Sequence, residues 1–299
     1  MSLSVSIGVM AHNEGKNIGR LLDTLFHQIL TNVTISEVII VSSGSTDKTN
    51  QIVREYQRKN NRIKLIDQKM RKGKANAVNL FLSKAKEKIV VLLGADLLLE
   101  RDTLNNLIQP FRNRKVGIVG SHPIPVNSPD TFMGFAARLL WDLHHRISLA
   151  SPKMGEMIAF RKIFKQIPML SAVDEANIEP LIRGQGYKAV YAPGAIVYNK
   201  GPDTLHEFIA RRRHCYAGHL ATKYEYSYEV STLNGYKIFL YIIKNINLSW
   251  RFFLFTPLVI ILEVYSRLLG FIDYKMKLKS HTIWEVTPST KTIVVEKIP

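Results

Sequence analysis

The chain of 299 residues carries 41 Lys and Arg against 24 Asp and Glu, a formal net charge of +17, and 46% of its residues are hydrophobic. This composition argues against a disordered chain, and the length favours one large α/β domain with an appendage. The single cysteine, Cys215, excludes an intrachain disulfide and predicts a reducing compartment. The positive charge predicts an anionic partner: nucleotide phosphates, a membrane surface or nucleic acid.

Strands and helices alternate through the first third of the chain. Short apolar runs predict strands, and apolar residues at helical spacing predict helices between them. The predicted strands are 4–10, 38–41, 63–66 and 89–93, and the predicted helices are 16–29, 48–56 and a third that ends at 84. This alternation predicts an α/β fold with a doubly wound, mostly parallel sheet flanked by helices.

The pattern changes after Gly120. Prolines at 123, 125 and 129 predict a loop, and the later predicted elements are a helix at 132–147, a strand at 190–193 and a basic helix at 204–223. We predict three segments: a catalytic domain at 1–232, membrane-associated helices at 233–275, and a tail at 276–299 that forms a hairpin.

The strand Ile89–Leu93 leads directly into a carboxylate, Asp96. Ligands of open α/β sheets bind outside the carboxyl ends of such strands. A carboxylate at this place can hold a divalent cation, which in turn can neutralise a diphosphate. A helix-capping role is the alternative for an isolated Asp, so the flanking segments decide between the two.

Five blocks in order resemble the inverting family 2 glycosyltransferases of the GT-A fold, over roughly residues 4–225. They are Met10–Glu14, Ser42–Thr49, Lys72–Ala77, Gly94–Asp96 and the segment from Asp174 to Pro193. The resemblance implies transfer of a sugar from UDP or GDP, with Asp96 as ligand of Mg²⁺ or Mn²⁺. It also implies that Asn13, Glu14 and Ser43 lie at the nucleotide.

Two positions depart from the family pattern. Ser42 and Ser43 stand where the family usually has acidic residues, and Gly94 replaces the first Asp of its Asp-x-Asp motif. The missing carboxylates motivate an alternative function, a catalytically weakened relative that binds nucleotide or glycan as a scaffold.

Basic residues are expected to contact the donor's phosphates. Lys72 and Lys74 flank a glycine that permits close approach of the backbone, although a solvated basic turn explains a single lysine equally well. From the resemblance, Arg212 and Arg213, with Arg211 before them, are expected at the leaving diphosphate. The family's Gln-x-x-Arg-Trp segment is incomplete here, because His214 follows Arg213. This difference favours transfer of a single sugar over polymer synthesis.

An inverting transfer requires a base that takes the proton of the acceptor hydroxyl. The resemblance places Glu175 at the usual base position, but the order of the two acids is reversed here, so Asp174 stays an alternative. Adjacent carboxylates can raise each other's pKa, which suits a base.

The segment 236–250 mixes apolar and basic residues, as interfacial helices do, and 251–272 is long enough to cross a bilayer. Glu263 and Arg267 inside it argue against spanning. We therefore expect helices that lie in the cytoplasmic face of an anionic membrane, with a single span or a dimer interface as alternatives. The expected acceptor is lipid-linked or presented at the membrane, oligomerisation is possible, and no nucleic-acid-binding pattern is present.

Overall fold

The computed structural model describes residues 2–169, 173–233, 235–244, 249–279 and 283–293. Its first part follows the predicted alternation of strands and helices. The elements are β1 (Leu3–Ala11), α1 (Ile18–Phe26), β2 (Val33–Ser43), α2 (Thr49–Lys59), β3 (Ile63–Gln68), α3 (Lys74–Lys84) and β4 (Ile89–Gly94). The predicted positions are therefore confirmed, although β2 is longer than expected.

The later elements complete the sheet and add helices. They are β5 (Leu98–Leu99), α4 (Thr103–Ile108), β6 (Val116–Pro125), α5 (Phe132–Ala150), β7 (Met157–Arg161), α6 (Asp174–Arg183), β8 (Lys188–Asn199), α7 (Leu205–Tyr226), α8 (Gly235–Lys244) and α9 (Trp250–Met276). Within the described residues the sheet has eight strands in the order β3-β2-β1-β4-β7-β6-β8-β5. Strand β7 is antiparallel to β4 and β6, β5 is antiparallel to β8, and the other pairs are parallel.

Helices cover both faces of the sheet, as a doubly wound fold requires. Helices α1 and α4 pack in one apolar cluster, and α3 and α6 pack in the other. A Cβ at Gly8 of β1 would lie 2.6 Å from the Phe81 ring of α3, so a glycine is required for this helix to approach the sheet. The α/β class predicted from the sequence is confirmed.

The loop expected around Pro123 and Pro125 is instead the second half of β6, and this prediction was wrong. Strand β7 pairs with β6 only between Ile118 and Gly120. Beyond Gly120, the described residues pair β6 with β8 alone. Prolines are tolerated where a strand has one free edge, because the missing N–H then removes no ladder hydrogen bond.

Helix α9 packs along α7 with its polar face inward. Glu263 receives two hydrogen bonds from Arg212 (2.7 and 2.6 Å), and Asp273 forms an ion pair with Arg213. A Cβ at Gly270 would lie 2.6 Å from the Arg213 carbonyl oxygen, which shows how closely the helices approach. The charged residues inside this apolar segment are thus explained by contacts with α7.

The outer face of α9 is apolar and exposed. Its exposed large residues are Trp250, Phe253, Leu254, Leu258, Ile260, Ile261, Val264, Tyr265, Leu268, Phe271 and Met276. Among the described residues, α9 is long and apolar enough to cross a membrane, and 17% of its most apolar window is buried. The segment boundaries at 232 and 275 stay a prediction. The described tail contains a short 3₁₀ turn at Pro288–Lys291, and the expected hairpin extends into 281–282 and 294–295, which lie outside the described residues.

Candidate active site

A cavity of about 510 Å³ opens at the carboxyl ends of β1, β2 and β4. Seven of the eleven candidate site residues predicted from the sequence line it: Glu14, Ser43, Lys74, Asp96, Glu175, Arg211 and Arg212. The other four do not line it: Asn13, Lys72, Asp174 and Arg213. The topology therefore brings the nucleotide, metal and base candidates to one place.

Asp96 lies just beyond β4, in a turn held to β1 by a hydrogen bond from the Ala95 amide to the Met10 carbonyl (3.0 Å). Its carboxylate has no hydrogen-bond or ion-pair partner within the described residues. A Cβ at Gly94 would lie 2.5 Å from Asp96 Oδ1, so any side chain at position 94 requires this carboxylate to move. Asp96 is thus an available oxygen ligand in the cavity wall.

Glu14 is buried beside Asp96. Burial and the nearby Asp96 charge raise the pKa of Glu14 to about 7. Its Oε2 accepts a hydrogen bond from the Asn17 amide group (2.9 Å), and its Oε1 forms an ion pair with Lys291. Two acidic side chains and one ammonium group therefore share this end of the cavity.

Asn13 connects two turns beneath the cavity. Its backbone has a positive φ of 52°. Its side-chain oxygen accepts a hydrogen bond from the Thr46 backbone N–H (2.8 Å), and its backbone N–H donates to Ser45 Oγ (3.1 Å). His12, which the sequence did not single out, lines the cavity instead, with Nδ1 2.7 Å from the Ser43 carbonyl oxygen. Ser43 Oγ is buried without a hydrogen-bond partner in the described part of the chain.

The basic loop divides its side chains between the cavity and solvent. Gly73 has a φ of 85°, which favours glycine, and it precedes α3. Lys72 is exposed outside the cavity, whereas Lys74 reaches inward and binds Asp174 at 2.8 Å. Arg71, which the sequence reasoning missed, lines the cavity and donates to the Trp284 carbonyl (2.6 Å).

The two acids at the start of α6 have different surroundings. Asp174 is buried against Lys74 and lies behind the cavity wall, whereas Glu175 lines the cavity. Burial and the Asp174 charge raise the pKa of Glu175 to about 8, and Lys74 opposes this effect. Of the two acids, Glu175 is therefore the one that faces the cavity.

The three arginines of α7 have separate partners. Arg211 lines the cavity and binds Glu156 at 2.8 Å. Arg212 reaches the cavity wall but is engaged by Glu263, and Arg213 is engaged by Asp273 on α9. Arg212 and Arg213 thus join α7 to α9, whereas the partner of Arg211 is Glu156, which also lines the cavity.

The tail returns across the cavity, which the sequence analysis did not foresee. Lys291 Nζ donates to the His12 carbonyl (2.9 Å) and contacts Glu14. The Trp284 ring lies 4.1 Å from the His214 ring and 6.0 Å from the Arg211 guanidinium carbon. The tail thus places Trp284 beside Arg211 and His214, in the segment where this chain has no tryptophan of its own. Because Trp284 is distant in sequence, only the tertiary structure shows this contact.

The opposite wall of the cavity is apolar and is built by α5, α8 and α9. Its members include Leu140, Ile238, Phe239, Ile242, Ile260 and Val264. Phe239, Ile260 and Val264 are also exposed at the surface, so this wall is continuous with the outer apolar face. The cavity therefore joins a polar, charged end to an apolar end.

Comparisons with known proteins agree with this arrangement. Residues 6–170, more than half of the chain, match the model of glycosyl transferase family 2. A poly-beta-1,6-N-acetyl-D-glucosamine synthase of Staphylococcus epidermidis is 32% identical over 120 residues, which cover 40% of this chain and 28% of that protein. The corresponding Staphylococcus aureus synthase is 24% identical over 207 residues, 65% of this chain and 49% of that protein. The matched regions thus span less than half of these relatives.

Solved structures share the fold. The mannosyltransferase PcManGT from Pyrobaculum calidifontis, in complex with GDP-Man and Mn²⁺, superposes with a TM-score of 0.65 at 22% identity, covering 92% of this chain and 88% of its own. Glucosyl-3-phosphoglycerate synthase from Mycobacterium tuberculosis, with Mn²⁺, UDP and phosphoglyceric acid, gives 0.52 at 18% identity, covering 74% and 78%. Together with the family match, the strand order and the cavity at the strand ends, these likenesses lead to one conclusion: the chain belongs to glycosyl transferase family 2 and has the GT-A fold.

Proposed function

We propose that this protein is a metal-dependent, inverting glycosyltransferase. It moves one sugar from a UDP- or GDP-sugar to a lipid-linked or membrane-presented acceptor. The observation that carries the proposal is the single cavity that joins Asp96, Glu175 and the apolar wall of α8 and α9. Such a transfer needs a cationic environment for the leaving diphosphate and a base for the acceptor hydroxyl.

Asp96 would hold Mg²⁺ or Mn²⁺, with phosphate oxygens and waters as the other ligands. Its available carboxylate fits a cation that is bound through one carboxylate and the substrate's phosphates. Among the described residues no group of three or more acidic, His or Cys side chains is arranged to hold a metal ion, so the nucleotide would complete the site. The cation would supply positive charge where negative charge develops on the diphosphate. The Mn²⁺ in the PcManGT complex supports this choice.

Side chains of the protein would bind the donor together with the metal ion. Arg211 and Arg71 face the donor end of the cavity and supply fixed positive charge. Glu14 and Ser43 lie where the nucleoside is expected, and the buried Ser43 hydroxyl, which has no hydrogen-bond partner in the described segments, would bond with it. These groups orient the donor before the bond to the anomeric carbon breaks.

Glu175 would act as the base. It accepts the proton of the acceptor hydroxyl as that oxygen attacks the anomeric carbon opposite the leaving diphosphate, so the configuration is inverted. Lys74 holds Asp174 away from the cavity, which favours Glu175 over its neighbour. The pKa of Glu175, raised to about 8, makes it a stronger base than an ordinary carboxylate.

The exposed apolar face of α9 supports a membrane location. Basic residues flank it, with Lys244 and Arg251 before and Lys275, Lys277 and Lys279 after. Lysine and arginine near anionic lipid each contribute about 1 kcal/mol of binding. Because Glu263 and Asp273 on the inner face bind α7, the helix would lie on the cytoplasmic face of the membrane with its outer face in the lipid.

The purified protein in mild detergent, incubated with UDP- and GDP-sugars, membrane lipid extract as acceptor, and Mn²⁺ or Mg²⁺, tests the proposal. We expect metal-dependent release of UDP or GDP from one donor, and loss of release in Asp96→Ala and Glu175→Ala. Calorimetric Mn²⁺ binding in the presence of UDP or GDP, whichever the protein binds, should also weaken in Asp96→Ala. No release from any donor would favour the alternative, a catalytically weakened binding protein.

A further inference from the structure

Beyond Glu175 the cavity carries basic side chains that the proposed reaction does not use. Lys153 lies in the segment before β7, and His219 lies one helical turn after Cys215 on α7. Lys153, His219 and Cys215 all line the cavity. Lys153 has no acidic side chain within ion-pair distance among the described residues.

The region around Lys153 has an excess of positive charge. Arg212 and Arg267 both bind the same carboxylate, Glu263, at 2.6 and 2.9 Å. With Lys153, three cations therefore lie near two carboxylates, Glu263 and Glu175. A buried charge without a partner is costly, so an anionic ligand would stabilise this region.

The titration behaviour agrees with that geometry. Burial and the Arg212 charge lower the pKa of Lys153 to about 8. Burial, together with the charges of Lys153, Arg212 and Arg267, holds the pKa of His219 well below its usual value. For both side chains, burial and the neighbouring positive charges outweigh the negative charges nearby, which are Glu175 for Lys153 and Glu263 for His219.

The charged neighbours of this basic group differ from those of Asp96. Asp96 interacts electrostatically with Glu14 and Arg211, whereas Lys153 interacts with Glu175. The group therefore adjoins the base, where an acceptor must bring its hydroxyl. It also adjoins the apolar wall that contains Ile238, Ile242 and Ile260.

We propose that Lys153, with His219 beside it, forms a subsite for a phosphate group of the acceptor, and that the acceptor's hydrocarbon chain lies along the apolar wall of α8 and α9. The acceptor class is then a phosphate-bearing lipid, in which the hydroxyl that Glu175 deprotonates is separate from the phosphate group. This inference rests on the proposed function, because it names the acceptor of that reaction. It assigns Lys153 to acceptor binding and leaves the donor's diphosphate to Arg211 and Arg71.

Binding of model lipids to the full-length protein in neutral detergent tests this subsite without any sugar nucleotide. The ligands are farnesyl phosphate, uncharged farnesol and water-soluble glycerol phosphate, and the readout is quenching of tryptophan fluorescence, since Trp141 lines the cavity. We expect farnesyl phosphate to bind about tenfold or more tightly than farnesol, as one charge-assisted hydrogen bond implies.

Three variants distinguish loss of the Lys153 charge from a general effect on folding. Lys153→Met should remove most of the preference for farnesyl phosphate, Lys153→Arg should keep it, and Lys165→Met, at an exposed site, should leave it unchanged. Equal binding of farnesol and farnesyl phosphate to the unaltered protein would overturn the phosphate subsite. Binding of glycerol phosphate as tight as that of farnesyl phosphate would overturn the lipid assignment. Because no donor is present, these outcomes are independent of whether the protein turns over a sugar nucleotide.

Discussion

At the scale of single residues, the neighbouring acids of α6 give the most direct test of mechanism. We expect Glu175→Gln to lower kcat for sugar transfer about 1,000-fold, within the range for loss of a general base, and to leave donor affinity nearly unchanged. Asp174→Asn should cause a smaller loss, because Asp174 faces Lys74 and not the cavity. Single-turnover assays with calorimetric donor titration would check this. A fully active Glu175→Gln variant would contradict it.

The same pair predicts the pH dependence of the reaction. Glu175 must be ionised to accept a proton, and burial with the Asp174 charge raises its pKa to about 8. We therefore expect kcat/KM to rise with pH, with a midpoint near 8, and to level off above it. Asp174→Asn removes a like charge, so the midpoint should move to lower pH. A midpoint that stays in place or moves upward in this variant would argue against Glu175 as the base.

At the scale of elements, the tail contributes Lys291 to the donor end of the cavity. Its ammonium group pairs with Glu14. Lys291→Met should therefore remove positive charge where the diphosphate binds. We expect affinity for UDP or GDP, whichever the protein binds, to fall about tenfold, as loss of a charged hydrogen bond implies.

Isothermal titration with the nucleoside diphosphate would measure this effect. Lys72→Met is the matched control, because Lys72 carries the same charge in the loop after β3 but is exposed outside the cavity. Tighter binding in Lys291→Met would mean that the tail obstructs the donor site and does not support it.

At the scale of the whole molecule, the apolar face of α9 predicts that the protein binds to anionic membranes. Ile261 and Leu268 are exposed there at 62% and 54%, and burying one such side chain contributes about 1.5–3 kcal/mol. The double variant Ile261→Lys/Leu268→Lys should reduce binding to anionic phospholipid vesicles at least about tenfold. Co-sedimentation with vesicles would measure the change.

The control for this experiment adds the same charge elsewhere. Ile29→Lys/Met70→Lys alters two exposed apolar residues outside α9 and should not weaken vesicle binding. If the α9 variant binds vesicles normally but loses self-association in analytical ultracentrifugation, the face is a dimer interface and the membrane proposal is wrong.

Local patterns predicted much of the fold but only part of the site. The apolar run of β4 and the helical spacing in α1 are properties of short segments, so both were identified from the sequence. Strand β6 was missed because its prolines are harmless only where the strand has one neighbour, a property of the sheet and not of the segment.

By itself, the sequence determined the alternation of strands and helices, the carboxylate at the end of β4 and the apolar character of α9, because each depends on residues close together in the chain. The tertiary structure alone decided that Glu175 faces the cavity while Asp174 binds Lys74, and that the tail brings Lys291 to Glu14. Side-chain direction and partner choice depend on elements far apart in sequence, and their packing fixes which charges meet and which stay available for a ligand.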